Sequence, residues 1–145
     1  LQHYANIIHH RFLGKHKISV DSDSSVLHVR IPKLLIQPLV ENAVLHGLER
    51  KLDGGSVRVQ VSASGKNLEI IVEDDGEGMD EERICQLKDA MEQYDRDSTL
   101  AEGQLGIGFL NVYRRLRLFY GHEAAFELES YRGKGTRIRM LLPVG

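Results

Sequence analysis

Leu68-Glu69-Ile70-Ile71-Val72-Glu73-Asp74-Asp75-Gly76-Glu77-Gly78-Met79 decides how this chain is read. Leu68, Ile70 and Val72 alternate with Glu69, Ile71 and Glu73, the period of a half-buried strand, and the run then breaks into an acidic, glycine-rich turn. Just upstream, Val57, Val59 and Val61 alternate with Arg58, Gln60 and Ser62, and Gly65-Lys66-Asn67 forms the turn between the two strands. A second pair closes the chain, Ala125 to Tyr131 with Thr136 to Leu142 across Arg132-Gly133-Lys134-Gly135. Near the start, Ile18 to Asp21 and Val26 to Ile31 read as short strands around the polar stretch Ser22 to Ser25.

Between these pairs the period changes to that of helices. Leu1, Tyr4, Ile7, Ile8 and Phe12 predict a helix ending near Leu13, before Gly14. Pro38 suits a first turn, so the next helix is expected from about Gln37 to Arg50, and another from about Asp80 to Gln93. The polar stretch Tyr94 to Gln104 has few core anchors and is expected to be a mobile lid. A last helix, about Gly108 to Tyr120, gathers Phe109, Val112, Tyr113, Leu116 and Phe119 on one face and stops at Gly121. Strands in hairpin-like pairs, rather than in crossovers of a parallel sheet, predict an α/β (α+β) fold. It is a two-layer sandwich whose mixed sheet has one face covered by three helices and the other more open.

Composition narrows the function classes. The 145 residues carry 19 Lys+Arg against 21 Asp+Glu, a formal charge of −2, with 41% hydrophobic and 28% charged residues. These are the proportions of one ordinary globular domain, and they lack the basic excess of a dedicated nucleic-acid binder. The single cysteine, Cys85, excludes an internal disulfide and a multi-cysteine metal cluster and fits a reducing compartment, so the cytoplasm is expected. No run approaches the roughly 20 apolar residues that span a bilayer. A start at Leu1 without Met or a signal-like segment reads as part of something longer.

Four segments carry possible chemistry. An Asp-Gly turn after a strand is ordinary by itself, yet Asp74 at the strand end can accept a hydrogen bond from an exocyclic amine. Adenine has that amine where guanine has an acceptor oxygen, so the carboxylate would select adenine. Gly76 and Gly78 would let the backbone approach a flat ring, and Met79 supplies an adaptable apolar wall. Gly106-Ile107-Gly108 runs into a helix whose first N–H groups suit phosphates, though no Gly-Lys-Ser/Thr follows it and a lone GxG is weak. Asn42 and His46, at i and i+4, share a helical face; the Asn42 amide oxygen is a hard ligand suited to Mg²⁺, and the adjacent Glu41 is a candidate general base. Thr136, after Gly133-Lys134-Gly135, would support the adenine carboxylate through water if the strands are adjacent. Each feature also has a plain structural account as a turn, a surface carboxylate or a packed histidine.

Their order along one chain resembles the ATP-binding domain shared by gyrase-type topoisomerases, the ninety-kilodalton heat-shock chaperone, histidine kinases and MutL proteins, the Bergerat or GHKL fold. Gln37-Pro38-Leu39-Val40-Glu41-Asn42-Ala43, Gly106-Ile107-Gly108, Asn111-Val112 and Leu118-Phe119-Tyr120-Gly121 are similar to the LytS and YesM/YehU-like branch of bacterial sensor histidine kinases. The resemblance implies a kinase domain over residues 14–145, with residues 1–13 ending a dimerisation helix. It implies ATP and Mg²⁺ as cofactors, Asn42 as metal ligand, and Glu41 and Asn42 as catalytic residues. Asp74, Gly76, Gly78, Met79, Gly106, Gly108, Thr136 and His46 would meet the nucleotide. The γ-phosphoryl group would pass to a histidine upstream of Leu1 in a homodimeric, membrane-anchored parent that serves a response regulator, with this domain itself touching no membrane. The sequence departs from the branch at Gln104, where Gly is usual, at Leu45, where a phosphate-reaching lysine is common, and at Phe109-Leu110, where Leu-Lys is usual. Pro38 stands where the hydrolytic relatives carry a carboxylate. These departures keep two alternatives open, a nucleotide- or partner-binding module without transfer and an anti-sigma-type serine kinase.

Overall fold

A computed structural model of the chain describes residues 17–22, 33–48, 55–97 and 107–143. The expected N-terminal helix, the strand Val26 to Ile31 and Gln104 lie outside them. In chain order the elements are β1 (Lys17–Ser22), α1 (Lys33–Asn42) continuing as a π-helical turn (Ala43–Leu48), β2 (Ser56–Ser64), β3 (Asn67–Asp74), α2 (Glu81–Arg96), α3 (Ile107–Tyr120), a 3₁₀ turn (Gly121–Glu123), β4 (Ala125–Tyr131) and β5 (Gly135–Pro143). The strands form one sheet in the order β1-β2-β3-β5-β4.

Alternation along the strands separates a buried face from an open one. Val57, Val59 and Val61 of β2, Leu68, Ile70 and Val72 of β3, and Ile138, Met140 and Leu142 of β5 point into one core. Cross-strand register puts them in shared rows, with Val59 opposite Val72 and Val72 opposite Ile138. Leu35, Ile36, Leu39, Val40, Ala43 and Val44 of α1 and its π-helical turn cover that face together with Val112 and Leu116 of α3. Leu87 of α2 enters the same cluster, while Met91 and Tyr94 join Leu110 and Tyr113 in a smaller one beside it. The opposite face carries charge in register: Arg58, Glu73, Arg137 and Glu129 run across four strands. Arg139 donates to Glu69 at 2.7 Å and to Glu127 at 3.1 Å. The expected sandwich, one face covered and one open, is the observed one.

Four local expectations change. Antiparallel pairing holds for β2-β3, β3-β5 and β4-β5, but β1 runs parallel to β2 with α1 between them, so one crossover is present. The chain is already helical at Lys33, which places Pro38 inside α1 instead of in its first turn. A proline there forgoes one helical hydrogen bond at a cost of about 3 kcal/mol, and burial of the apolar stripe from Leu35 to Val44 outweighs it at about 1.5–3 kcal/mol for each large side chain. α2 runs through Arg96, so Tyr94 to Arg96 are helical instead of lid; Tyr94 is buried, and Asp95 accepts from Tyr113 Oη and from Arg117 Nε. Phe119 is 56% exposed and Leu118 77%, so α3 buries Val112, Tyr113 and Leu116 but turns its last apolar pair outward.

The α2–α3 junction is polar and closely tied. Arg117 lies 4.8 Å over the Tyr113 ring and donates to the carbonyls of Gly121 at 3.0 Å and Ala124 at 2.7 Å, tying α3 to the 3₁₀ turn that follows it and to the residue before β4. Burial, with the Asp95 hydrogen bond as second cause, pushes the Tyr113 hydroxyl up to about 12. At the other end of α2, the Arg83 N–H donates to the Asp80 side chain at 2.9 Å, an N-cap that starts the helix directly after the glycine-rich turn.

Candidate functional site

The strand parity that buries Leu68, Ile70 and Val72 also turns Asp74 toward the helices, two residues further on at the end of the sheet. Register then assembles the site. Asp74 pairs with Val57 on one side and Thr136 on the other, and Thr136 pairs with Ser130 of the outer strand. The sheet end and the helical layer leave a recess above this row, lined by Leu39, Asn42 and Ala43 from α1 and the π-helical turn, Val72 and Asp74 from β3, Gly78 and Met79 from the turn, Phe109 from α3, and Thr136 and Ile138 from β5. It is apolar on most sides, with one carboxylate, one amide and one hydroxyl converging in it, the usual make-up of a small-molecule site. Asn42 stands where α1 widens into its π-helical turn, an irregularity often found at functional sites.

The turn after Asp74 is held from both sides. Gly76 is buried and its N–H donates to Asp74 Oδ1 at 2.8 Å, fixing the carboxylate from its own loop. Asp75 accepts from the Ser56 N–H at 2.8 Å and from its hydroxyl at 3.1 Å, tying the turn to β2. The β4–β5 hairpin straps the rest: the Gly133 N–H donates to the Glu77 carbonyl at 2.6 Å, and the Met79 N–H donates to Ser130 Oγ at 2.8 Å. Gly78 has φ +71, and a Cβ there would lie 2.1 Å from the Tyr131 carbonyl oxygen. Its glycine is required by close packing of turn against hairpin, an account different from the expected approach of a flat ring.

Of the residues expected in the site, Asn42, Asp74, Gly78, Met79 and Thr136 line one recess. Gly76 sits behind it as the anchor of Asp74. Glu41 is half-buried, accepts from Gln37 Nε2 at 3.3 Å, and does not line the recess. Gly108 is the second residue of α3, and Phe109, the next residue, reaches the recess from that helix. The His46 backbone lies in the π-helical turn; its side chain and Gly106 fall outside the described residues. Leu45, expected as a departure near phosphates, is exposed on that same turn. Among the described residues no group of three or more His, Cys, Asp or Glu is placed to hold a metal, and no helix is long and apolar enough to cross a membrane.

Two contributors escaped the sequence reading. Ser130 is, tyrosines aside, the one polar side chain buried among the described residues, at 5% exposure. Its signal was a hydroxyl at the inward parity of β4, two residues after Leu128. Gly135 has φ +98, and a Cβ on it would stand 2.0 Å from the Asp74 carbonyl oxygen. Its signal was the glycine directly before Thr136 in a strand start.

This fold and site define an ATPase domain of the kind found in histidine kinases, and the chain belongs to the histidine kinase-, DNA gyrase B- and HSP90-like ATPase family, whose model matches residues 28–145. It is 34% identical over 143 residues to the sensor histidine kinase YesM of Bacillus subtilis, covering 99% of this chain and 22% of that protein. To the sensor histidine kinase YpdA of Escherichia coli it is 36% identical over 121 residues, 83% of this chain and 20% of the relative. The histidine kinase domain of the blue-light-activated histidine kinase EL346 of Erythrobacter litoralis superimposes with a TM-score of 0.67 at 26% identity, over 97% of this chain and 57% of that one. The chain thus spans about a fifth of the curated relatives' length.

Proposed function

We propose that this chain binds ATP with Mg²⁺ in the recess above Asp74 and Thr136, and that in its longer protein the γ-phosphoryl group passes to a histidine of a preceding dimerisation domain. The observation that carries this reading is the Asp74–Thr136 cross-strand pair facing an apolar recess that Asn42 enters from the opposite layer. A carboxylate acceptor beside a hydroxyl donor complements the amine and neighbouring ring nitrogen of adenine, and opposes the carbonyl and ring N–H of guanine. Met79, Phe109, Val72 and Ile138 supply apolar walls for the ring.

The donor set suits Mg²⁺ in one way. Asn42 offers a single neutral oxygen, which matches an ion that keeps phosphate oxygens and waters as its remaining ligands and does not match an all-protein cage. Bound there, the ion would neutralise phosphate charge. In the transfer, an imidazole nitrogen of the acceptor histidine forms the new P–N bond as the bond between the γ-phosphorus and the bridging oxygen breaks, and ADP leaves. Glu41 accepts the N–H at the other ring nitrogen and so keeps the attacking nitrogen's lone pair aimed at phosphorus. Such catalysis is mainly positioning and charge neutralisation. The longer protein would be a homodimer that serves a response regulator, with this domain on the cytoplasmic side of a membrane anchor.

Calorimetric titration of the chain with ATP and GTP, in Mg²⁺ and in EDTA, tests the site. Adenine-selective binding, strengthened by Mg²⁺ and lost in Asp74→Ala, is the expected result, and unchanged affinity in that variant refutes the role of Asp74. Labelled phosphate from [γ-³²P]ATP should reach an upstream histidine in the longer protein, and its failure to do so, with binding intact, refutes the transfer.

A further inference from the structure

Ser130 has no part in the site as the family resemblance describes it, yet it is buried directly behind Thr136. Three polar atoms surround its hydroxyl: the Met79 N at 2.8 Å, Thr136 Oγ1 at 2.8 Å and the Gly135 carbonyl oxygen at 3.0 Å. Their chemistry constrains where the protons lie. The Met79 N–H can only donate, so Ser130 Oγ accepts there and keeps one proton of its own to give. If that proton goes to the Gly135 carbonyl, the Thr136 hydroxyl has to donate back to Ser130 and shows the recess lone pairs only. If it goes to Thr136 Oγ1, the Thr136 proton is released toward the recess.

We infer that Ser130 is a positioning residue for base selection. It passes the donor polarity of the Met79 amide through its own hydroxyl to Thr136, so that Thr136 acts as a hydrogen-bond donor beside the Asp74 acceptor. The inference rests on the adenine reading of the recess. A base with an acceptor nitrogen next to its amine draws the Thr136 proton toward itself, directly or through one water. The chain Met79 N–H, Ser130 O–H, Thr136 O–H then runs in one direction, and each bond polarises the next. Without the Ser130 hydroxyl, Thr136 loses its cross-strand partner and the Met79 N–H is left unpaired beside the core.

The test separates a proton-directing role from a merely structural one. ATP and its 1-deaza analogue, in which the ring nitrogen beside the amine is a C–H, are titrated calorimetrically into the wild-type chain and into Ser130→Ala, Ser130→Cys and Ser130→Thr, each checked for folding by circular dichroism. The wild type should prefer ATP over the analogue by about tenfold, the size of one well-made hydrogen bond. Ser130→Ala and Ser130→Cys should raise the ATP Kd by about tenfold while moving the analogue's Kd less than about twofold, and Ser130→Thr should keep the wild-type preference. Equal weakening of both nucleotides, or no weakening of ATP, overturns the inference. If Ser130→Ala does not fold, Ser130→Cys, close in shape with a poor donor, carries the same two outcomes. Wild-type protein that binds ATP and the analogue equally overturns this inference alone; wild-type protein that binds no adenine nucleotide overturns the reading of the recess with it.

Discussion

Replacing Gly135 by alanine probes the contact on which the site's geometry depends. At φ +98 an alanine pays about 1–3 kcal/mol of backbone strain. Its Cβ would stand 2.0 Å from the Asp74 carbonyl oxygen and 2.8 Å from the carbonyl carbon, about 1.4 Å inside the 3.4 Å at which ordinary contact begins. The neighbour is backbone and has no rotamer to change, so β5 must move away from β3 at the Asp74–Thr136 pair, adding about 1–3 kcal/mol. The sum, about 2–6 kcal/mol, is a large part of the stability of a domain this size. Urea denaturation followed by circular dichroism should show the midpoint falling by about 1–3 M. ATP affinity should fall as well, because the shift separates the two polar groups proposed to read the base. Gly133→Ala is the internal control: φ is +83 but nothing lies within 4 Å of the added Cβ, so only the conformational cost of about 1–2 kcal/mol remains. Equal losses in the two variants would refute the claim that close strand contact, rather than backbone conformation alone, demands glycine at 135.

Other expectations follow from contacts on the helical layer and the open face. Tyr113→Phe should cost about 1–2 kcal/mol in urea denaturation, because it removes the hydroxyl shared by Asp95 and Arg117. Since Tyr113 holds its proton in the folded state up to about 12 against 10 when unfolded, the wild type should lose stability as pH rises from about 10 to 12, and Tyr113→Phe should lack that part of the decline. Asp80→Ala removes the α2 N-cap and should cost about 1 kcal/mol, with Asp80→Asn closer to wild type. Arg139→Gln, on the open face, should move the urea midpoint far less than Tyr113→Phe does at physiological salt, despite its two carboxylate partners, and an equal fall would refute that expectation.

The strands were legible because each alternates cleanly, and a period of two carries its own register of inside and outside. β2, β3, β4 and β5 therefore lie within a residue or two of their expected bounds. The same alternation places Asp74 on the inner face, the one site assignment that needs nothing beyond its own strand. Helix bounds were harder. Pro38 reads as a helix start on local preference, yet burial of Leu35 and Ile36 extends the helix back through it. Tyr94 and Asp95 read as lid because their partners, Tyr113 and Arg117, lie about twenty residues away on another helix.

The sequence by itself determined a mixed α/β sandwich, an acidic residue at the end of an inward-facing strand, and an order of motifs that belongs to one ATPase family. Those properties are local or ordinal: periodicity, turn chemistry and the succession of segments survive in one dimension. Only the tertiary structure decided that β1 adds in parallel beside β2, that Thr136 and Ser130 stand in one row with Asp74, and that the glycines at 78 and 135 serve backbone-to-backbone contact. Strand order and register arise from pairing between segments as many as 76 residues apart, as Asn67 is from Pro143, and Asp74 and Thr136 are 62 apart in the same ladder. No single segment encodes such a pairing; it is selected by the joint burial of all the strands against α1 and α3.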